Sequence, residues 1–165
     1  MSEWTRLPSK RKTEYGYIYY GGACRDRYPN FRTYDQGGGH TVFTLQKPAL
    51  LAYLEAQVKF AKASGWTQAR IERNQKAIDG KKYPEGRPIG VLAGTNRSCS
   101  TQAQLYRSDP GRYANPTYTG HTRGIAVDVS QNQDDLAEAN AALLSAGWKR
   151  ARSDEPWHFS YGFTV

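Results

Sequence analysis

Residues 118–129, Tyr-Thr-Gly-His-Thr-Arg-Gly-Ile-Ala-Val-Asp-Val, constrain the fold of this chain more than any other stretch. They hold His121 and Asp128 seven positions apart, with Gly124 and Ala126 between them. In an extended segment Ile125, Val127 and Val129 share one face, and Gly124, Ala126 and Asp128 share the other. The bulky face reads as core. The opposite face sets a single carboxylate beside two very small residues. Residues 157–162 repeat the plan: Trp157, Phe159 and Tyr161 share a face, while His158, Ser160 and Gly162 share the other. Glu155 stands just before this strand, and Pro156 biases it towards extended geometry and away from helix.

Either strand alone reads more simply as an ordinary half-exposed strand with its polar residue in water. Together they bring two imidazoles and two carboxylates into company with small residues, and that changes the reading. Gly124 lets the chain turn so that His121 and Asp128 converge. The four groups suffice for a zinc site with three protein ligands and one spare carboxylate as general base.

The rest of the chain frames this site. A length of 165 residues makes one domain the default and leaves room for a core. With 38% hydrophobic and 13% aromatic residues, the chain reads as folded rather than disordered. The excess of 23 Lys+Arg over 15 Asp+Glu, a net +8, favours polyanionic surroundings, either nucleic acid or the anionic polymers of a bacterial wall. No apolar run reaches the roughly 18 residues of a membrane span. Met1 to Lys12 is polar and basic with no hydrophobic segment behind it. The expectation is therefore no signal peptide, synthesis in the cytoplasm and a separate route to any outside substrate. Cys24 and Cys99 are the only cysteines. They can pair, but in a cytoplasmic product two free buried thiols are at least as good an expectation.

In order along the chain, residues 1–14 read as a basic arm, 15–20 as a strand, and 21–41 as loop. Lys47-Pro48 opens a first helix whose buried face is Leu51, Leu54, Val58 and Ala61, and Gly65 ends it. Residues 66–87 read as a charged surface excursion. Residues 89–93 read as a buried strand, and Thr101 to Arg107 as a short helix stopped by Asp109-Pro110. A third helix, capped by Ser130 or Asn132, buries Leu136, Ala139, Leu143 and Ala146 and ends at Gly147. Trp148 starts a short strand, and 157–161 is the last one. The expected architecture is α+β: a small, mainly antiparallel sheet carrying the site, flanked by about three helices. It forms one domain over 1–165, with an N-terminal arm and loop region (1–46) and a core (47–165).

His121-x-x-Gly124-x-Ala126-x-Asp128 followed by Glu155-Pro156-Trp157-His158 resembles the signature of the zinc D-alanyl-D-alanine carboxypeptidases of the vancomycin-resistance type and of related phage endolysin peptidases. Upstream, Gly94-x-x-Arg97-Ser98-x-x-x-Gln102 is similar to that group's arginine segment. The resemblance covers about residues 47–162; the first 46 residues have no match. It implies Zn²⁺ on His121, Asp128 and His158, and Glu155 as general base for the attacking water. It also implies Arg97 polarising the scissile carbonyl, with Thr119, Ser98 and Gln102 on the substrate side. Thr119 replaces the usual serine, Asn96 the usual tyrosine before the arginine, and Cys99 a common aromatic.

The implied activity is zinc-dependent hydrolysis of a peptide bond in peptidoglycan stem peptides, by a monomer reaching the wall after phage holin release. The bond cut is that of a D,D-carboxypeptidase or an endopeptidase. A basic nucleic-acid-binding module without catalysis is the alternative, with no use for the ligand set. His40, in Gly37-Gly38-Gly39-His40, is a further potential ligand, with Asp128 then behind the metal rather than on it.

Overall fold

Helix α1 (Lys47–Lys62) is the element on which the others are stacked. In this computed structural model residues 9–19, 23–35, 42–62, 65–80, 89–92, 96–114, 119–150 and 153–162 are described. The expected face of α1 is buried, and so is most of its remaining surface: Ala49 to Leu54 are all fully inaccessible, as are Ala56 and Ala61. Burying each leucine contributes roughly 1.5–3 kcal/mol. Gly65, just past the end, has φ +79°, the left-handed geometry of a helix stop. The Tyr53 hydroxyl donates to the Ile89 carbonyl at 2.7 Å, and its ring meets Phe43 and Trp148 edge-on. A buried tyrosine therefore keeps its polar end satisfied.

Around α1 lie α2 (Gln68–Asp79) and α5 (Leu136–Ser145), with α3 (Cys99–Ser108) and the single turn α4 (Gly120–Arg123) towards the site. The strands form three small antiparallel sheets. Strand β1 (Lys10–Thr13) pairs with β2 (Gly16–Tyr19), and β3 (Phe31–Asp35) pairs with β4 (Val42–Gln46). In the third sheet, β7 (His158–Tyr161) lies between β5 (Ala126–Asp128) and β6 (Trp148–Lys149). The class is α+β, as expected, and the site is carried by a small antiparallel sheet. Among the described residues no helix is long and apolar enough to cross a membrane.

Several local expectations are corrected. The basic arm contributes strand β1, and the loop 21–41 contributes β3. Both hairpins are tied in by long-range bonds that local composition does not reveal: Arg11 donates to the Gly162 carbonyl, and Gln46 joins β2 to α4. The excursion 66–87 contains α2, started by the Thr67 hydroxyl accepting from the Arg70 N–H. That brings the described helices to five, against about three expected. The cap of α5 is Asp135 in left-handed geometry, with no side-chain cap bond, and neither Ser130 nor Asn132 takes that place. In 89–93 the described residues make one bridge, Val91 to Val129, rather than a full strand. Cys24 and Cys99 are joined in a disulfide, with Cα atoms 5.9 Å apart, so the two thiols are not free. The Asp26 carboxylate brings the loop there by accepting the Cys99 N–H at 2.7 Å. His40 lies outside the described residues, as do Gly94 and Tyr118.

Of the glycines compared among the described residues, Gly124 leaves the least room for a side chain. It has φ +65°, and a Cβ there would sit 2.7 Å from the Phe31 ring and 3.1 Å from the Gln46 nitrogen. At Gly65 the same atom would meet open space. Gly124→Ala is therefore expected to lose on the order of 3 kcal/mol in urea unfolding, against about 1 kcal/mol for Gly65→Ala. Reducing the disulfide, which closes a separation of 75 residues, should lower stability by about 4 kcal/mol in the chain-entropy account. An unchanged urea midpoint after reduction would contradict that expectation.

Candidate metal centre

The site is assembled by one turn of helix and one strand pair. Thr119 caps α4, its hydroxyl accepting the His121 N–H at 3.2 Å. Gly124 ends the turn in left-handed geometry, and the Ile125 N–H closes back on the Gly120 carbonyl at 3.1 Å. A short turn is thereby folded back over the start of β5, and His121 arrives above Asp128. The pairing of β5 with β7 does the rest. Asp128 lies directly opposite His158, and Ala126 opposite Ser160. Opposed residues in an antiparallel pair have Cβ atoms about 4.5–5.5 Å apart on the same face. The two strands that looked alike in sequence are therefore neighbours, with their ligands side by side.

His121 Nε2 lies 3.3 Å from Asp128 Oδ1, and His158 Nδ1 lies 3.2 Å from the same oxygen. The three donor atoms all lie within 4.8 Å of one another. All three residues are buried, each less than a tenth exposed. Ligand bonds of about 2.0–2.2 Å in a tetrahedral set imply donor atoms about 3.4 Å apart. The two distances to Asp128 fit that edge, and two imidazoles with one carboxylate fit the chemistry of zinc. The cluster can therefore hold a metal ion. Burial alone would push the Asp128 carboxyl up. The His121 and His158 nitrogens at hydrogen-bond distance outweigh it and hold the carboxyl well below its ordinary range. The group is kept ionised, as a metal ligand must be.

Arg97 extends the site. Its Nη2 stands 4.0 Å from Asp128 Oδ2, and its Nη1 donates to Gln102 Oε1 at 3.1 Å. Gln102 is buried on α3 and donates in turn to the Ala114 carbonyl at 2.8 Å. Its contacts are those of a positioning residue that holds Arg97. Ser98 caps α3, accepting the Thr101 N–H at 3.1 Å. Thr119 is likewise engaged at the start of α4 while lining the cleft. Asn96 bonds both backbone groups of Thr44, through its amide and its carbonyl, and so completes the edge of β4.

Glu155 and Trp157 line the same cavity of about 350 Å³ as His121, Asp128, His158 and Arg97. The backbone there is set by the His158 N–H donating to the Glu155 carbonyl at 3.1 Å, and by the Val129 N–H donating to the Trp157 carbonyl at 2.8 Å. The cavity thus gathers every catalytic and metal-ligating residue expected from the sequence. Tyr113 and Arg112 also line it and were not foreseen, since a Pro/Gly-rich loop offers no periodicity to read.

Arg123 was missed as well. It is almost fully buried and donates to the Tyr28 hydroxyl at 2.8 Å. Burial lowers its guanidinium from the usual value, while Tyr28 works to keep it charged. A buried arginine inside the His121 turn has no sequence signature of its own.

No family model and no curated protein matches the chain. Among solved structures, DacB from Streptococcus pneumoniae D39 aligns with 92% of this chain and 79% of its own length, at 17% identity and a TM-score of 0.41. The LdcB LD-carboxypeptidase, whose structure concerns peptidoglycan recognition, aligns with 93% of this chain and 80% of its own, at 18% identity and a TM-score of 0.38. At this distance the functional reading rests on the site's own geometry.

Purified protein is expected to hold one zinc per chain by elemental analysis. His121→Ala, Asp128→Ala and His158→Ala should each lose it, and His40→Ala should keep it. Acidification should release the metal from the intact site, because protons compete for the imidazole nitrogens. A full zinc complement in any of the three ligand variants would exclude that residue from the set.

Proposed function

We propose that the chain is a zinc peptidase that hydrolyses a peptide bond in the stem peptides of bacterial peptidoglycan. One observation carries the reading: His121, Asp128 and His158 converge with metal-ligand spacing in a cleft that also holds Glu155 and Arg97. A structural ion-pair cluster has no need of a further carboxylate and a tethered guanidinium in the same cavity. The net +8 charge suits an anionic wall polymer. The Cys24–Cys99 bridge suits an oxidising place of action outside the cytoplasm.

Zinc held by these residues would supply a Lewis acid and would lower the pKa of the attacking water towards neutrality. Glu155 takes a proton from the attacking water and later passes it to the leaving nitrogen. Arg97, held by Gln102, presents its guanidinium where negative charge develops on the carbonyl oxygen. One such donor in a water-poor cleft is worth about 3–4 kcal/mol. Asp128 faces the guanidinium from the other side and limits where it can swing.

Glu155→Gln should lower turnover by at least about a hundredfold while zinc stays bound. Comparable activity in that variant would remove Glu155 from its role. The reading as a whole is tested by mass spectrometry of products from purified muropeptides, with zinc and with a chelator. Chelator-sensitive cleavage is expected. Intact muropeptides, together with steeply salt-dependent retention of nucleic acid on filters, would favour the binding module instead.

A further inference from the structure

A second cavity, of about 360 Å³, meets the first at Arg97 and His121. Each cavity by itself reaches the roughly 300 Å³ of a small-ligand site. The second differs in chemistry. Its walls include the Thr33, Thr44, Ser98 and Thr122 side chains, the Phe31 ring and Arg27. Four of these six belong to β3, β4 and the loop before them, in the part of the chain that the family resemblance does not reach.

The wall is built rather than draped. The Cys24–Cys99 bridge and the Asp26 bond to the Cys99 N–H fasten the Arg27 loop to the start of α3, two residues past Arg97. The Thr33 and Thr44 hydroxyls meet at 3.0 Å, and Asn96 holds the Thr44 backbone. Asp26 is thus engaged at the helix start. Arg27 has no hydrogen bond or ion pair among the described residues, and it lines the cavity.

The chemistry of the first cavity assigns a direction to the substrate. Glu155 hands its proton to the leaving nitrogen, so the amine half of the peptide sits in Glu155's cavity. The acyl half must then run the other way, past Arg97 and His121. We propose that the second cavity is the acyl-side subsite, and that Arg27 selects peptides carrying a free carboxylate on that side. This rests on the peptidase reading. The guanidinium supplies a forked donor matched to a carboxylate, and the hydroxyls supply bonds to peptide groups.

The test uses zinc-loaded full-length protein and two synthetic stem peptides, one with its acyl-side carboxylate free and one with it amidated. In the wild type, amidation should raise KM about tenfold, the scale of one charge-assisted bond. In Arg27→Ala the two peptides should differ little, and Arg27→Lys should restore most of the discrimination. Equal sensitivity to amidation in the wild type and Arg27→Ala would overturn the assignment while leaving the peptidase reading intact. So would a wild type that cleaves both peptides with the same KM. If the zinc-loaded wild type cleaves neither peptide, and muropeptides also stay intact, the peptidase reading falls and the subsite falls with it.

Discussion

The pairing of Asp128 with His158 across β5 and β7 is the contact on which the site depends. Side chains alternate faces along a strand, so a slip of either strand by one residue would turn its own Asp128 or His158 into the core and bring Val127 or Phe159 into the cleft. Slippage is opposed by the apolar sides of the same strands. Val127, Val129 and Phe159 are fully buried in the cluster around α1. Core packing thus sets the register, and the register sets the distance between the ligands. The hydrophobic face does not touch the metal site, yet its geometry decides whether the site exists.

His121 reaches this pair by a different device. It stands on a single turn, too short to be stable alone, since a helical turn fixes several residues for few bonds. The turn is held by its neighbours. Gln46, fully buried, uses both amide hydrogens and both carbonyl lone pairs: it donates to Tyr19 and Arg123 and accepts from Tyr19 and Asn30. Its own N–H donates to the Gly124 carbonyl at 2.8 Å. A glutamine with all four groups satisfied in a dry core removes the penalty of burial and fixes three segments at once. One of these is the turn that carries His121. Phe31 fills the space that Gly124 leaves by lacking a side chain. The N-terminal hairpins therefore belong to the site's support even where they carry no ligand.

The Arg97 arm shows the same economy. Its segment is anchored at three points: Asn96 on β4, Ser98 at the start of α3, and the disulfide at Cys99. The guanidinium is then aimed by Gln102 from one side and Asp128 from the other. A long flexible side chain loses up to about 2 kcal/mol of rotamer freedom when it is fixed. Here that loss is met during folding.

The amino-acid order alone determined the residue types of the cluster and the strand faces they share. His121, Asp128, His158 and Glu155 among glycine, alanine and serine were legible because strand alternation is a local rule. So were α1, whose apolar spacing runs over many residues, and α5 apart from its cap. Local rules do not reach further. They did not reveal that the two similar strands are partners, because pairing depends on what packs beneath them. They did not separate a mobile arm from β1, or a surface loop from α2 and β3, since those segments take their shape from distant hydrogen bonds. They favoured free thiols where the fold brings Cys24 to Cys99. Arg27, Gln46 and Arg123 carry no signal in the sequence, because a polar residue acquires a role only when the tertiary structure decides what lies opposite it.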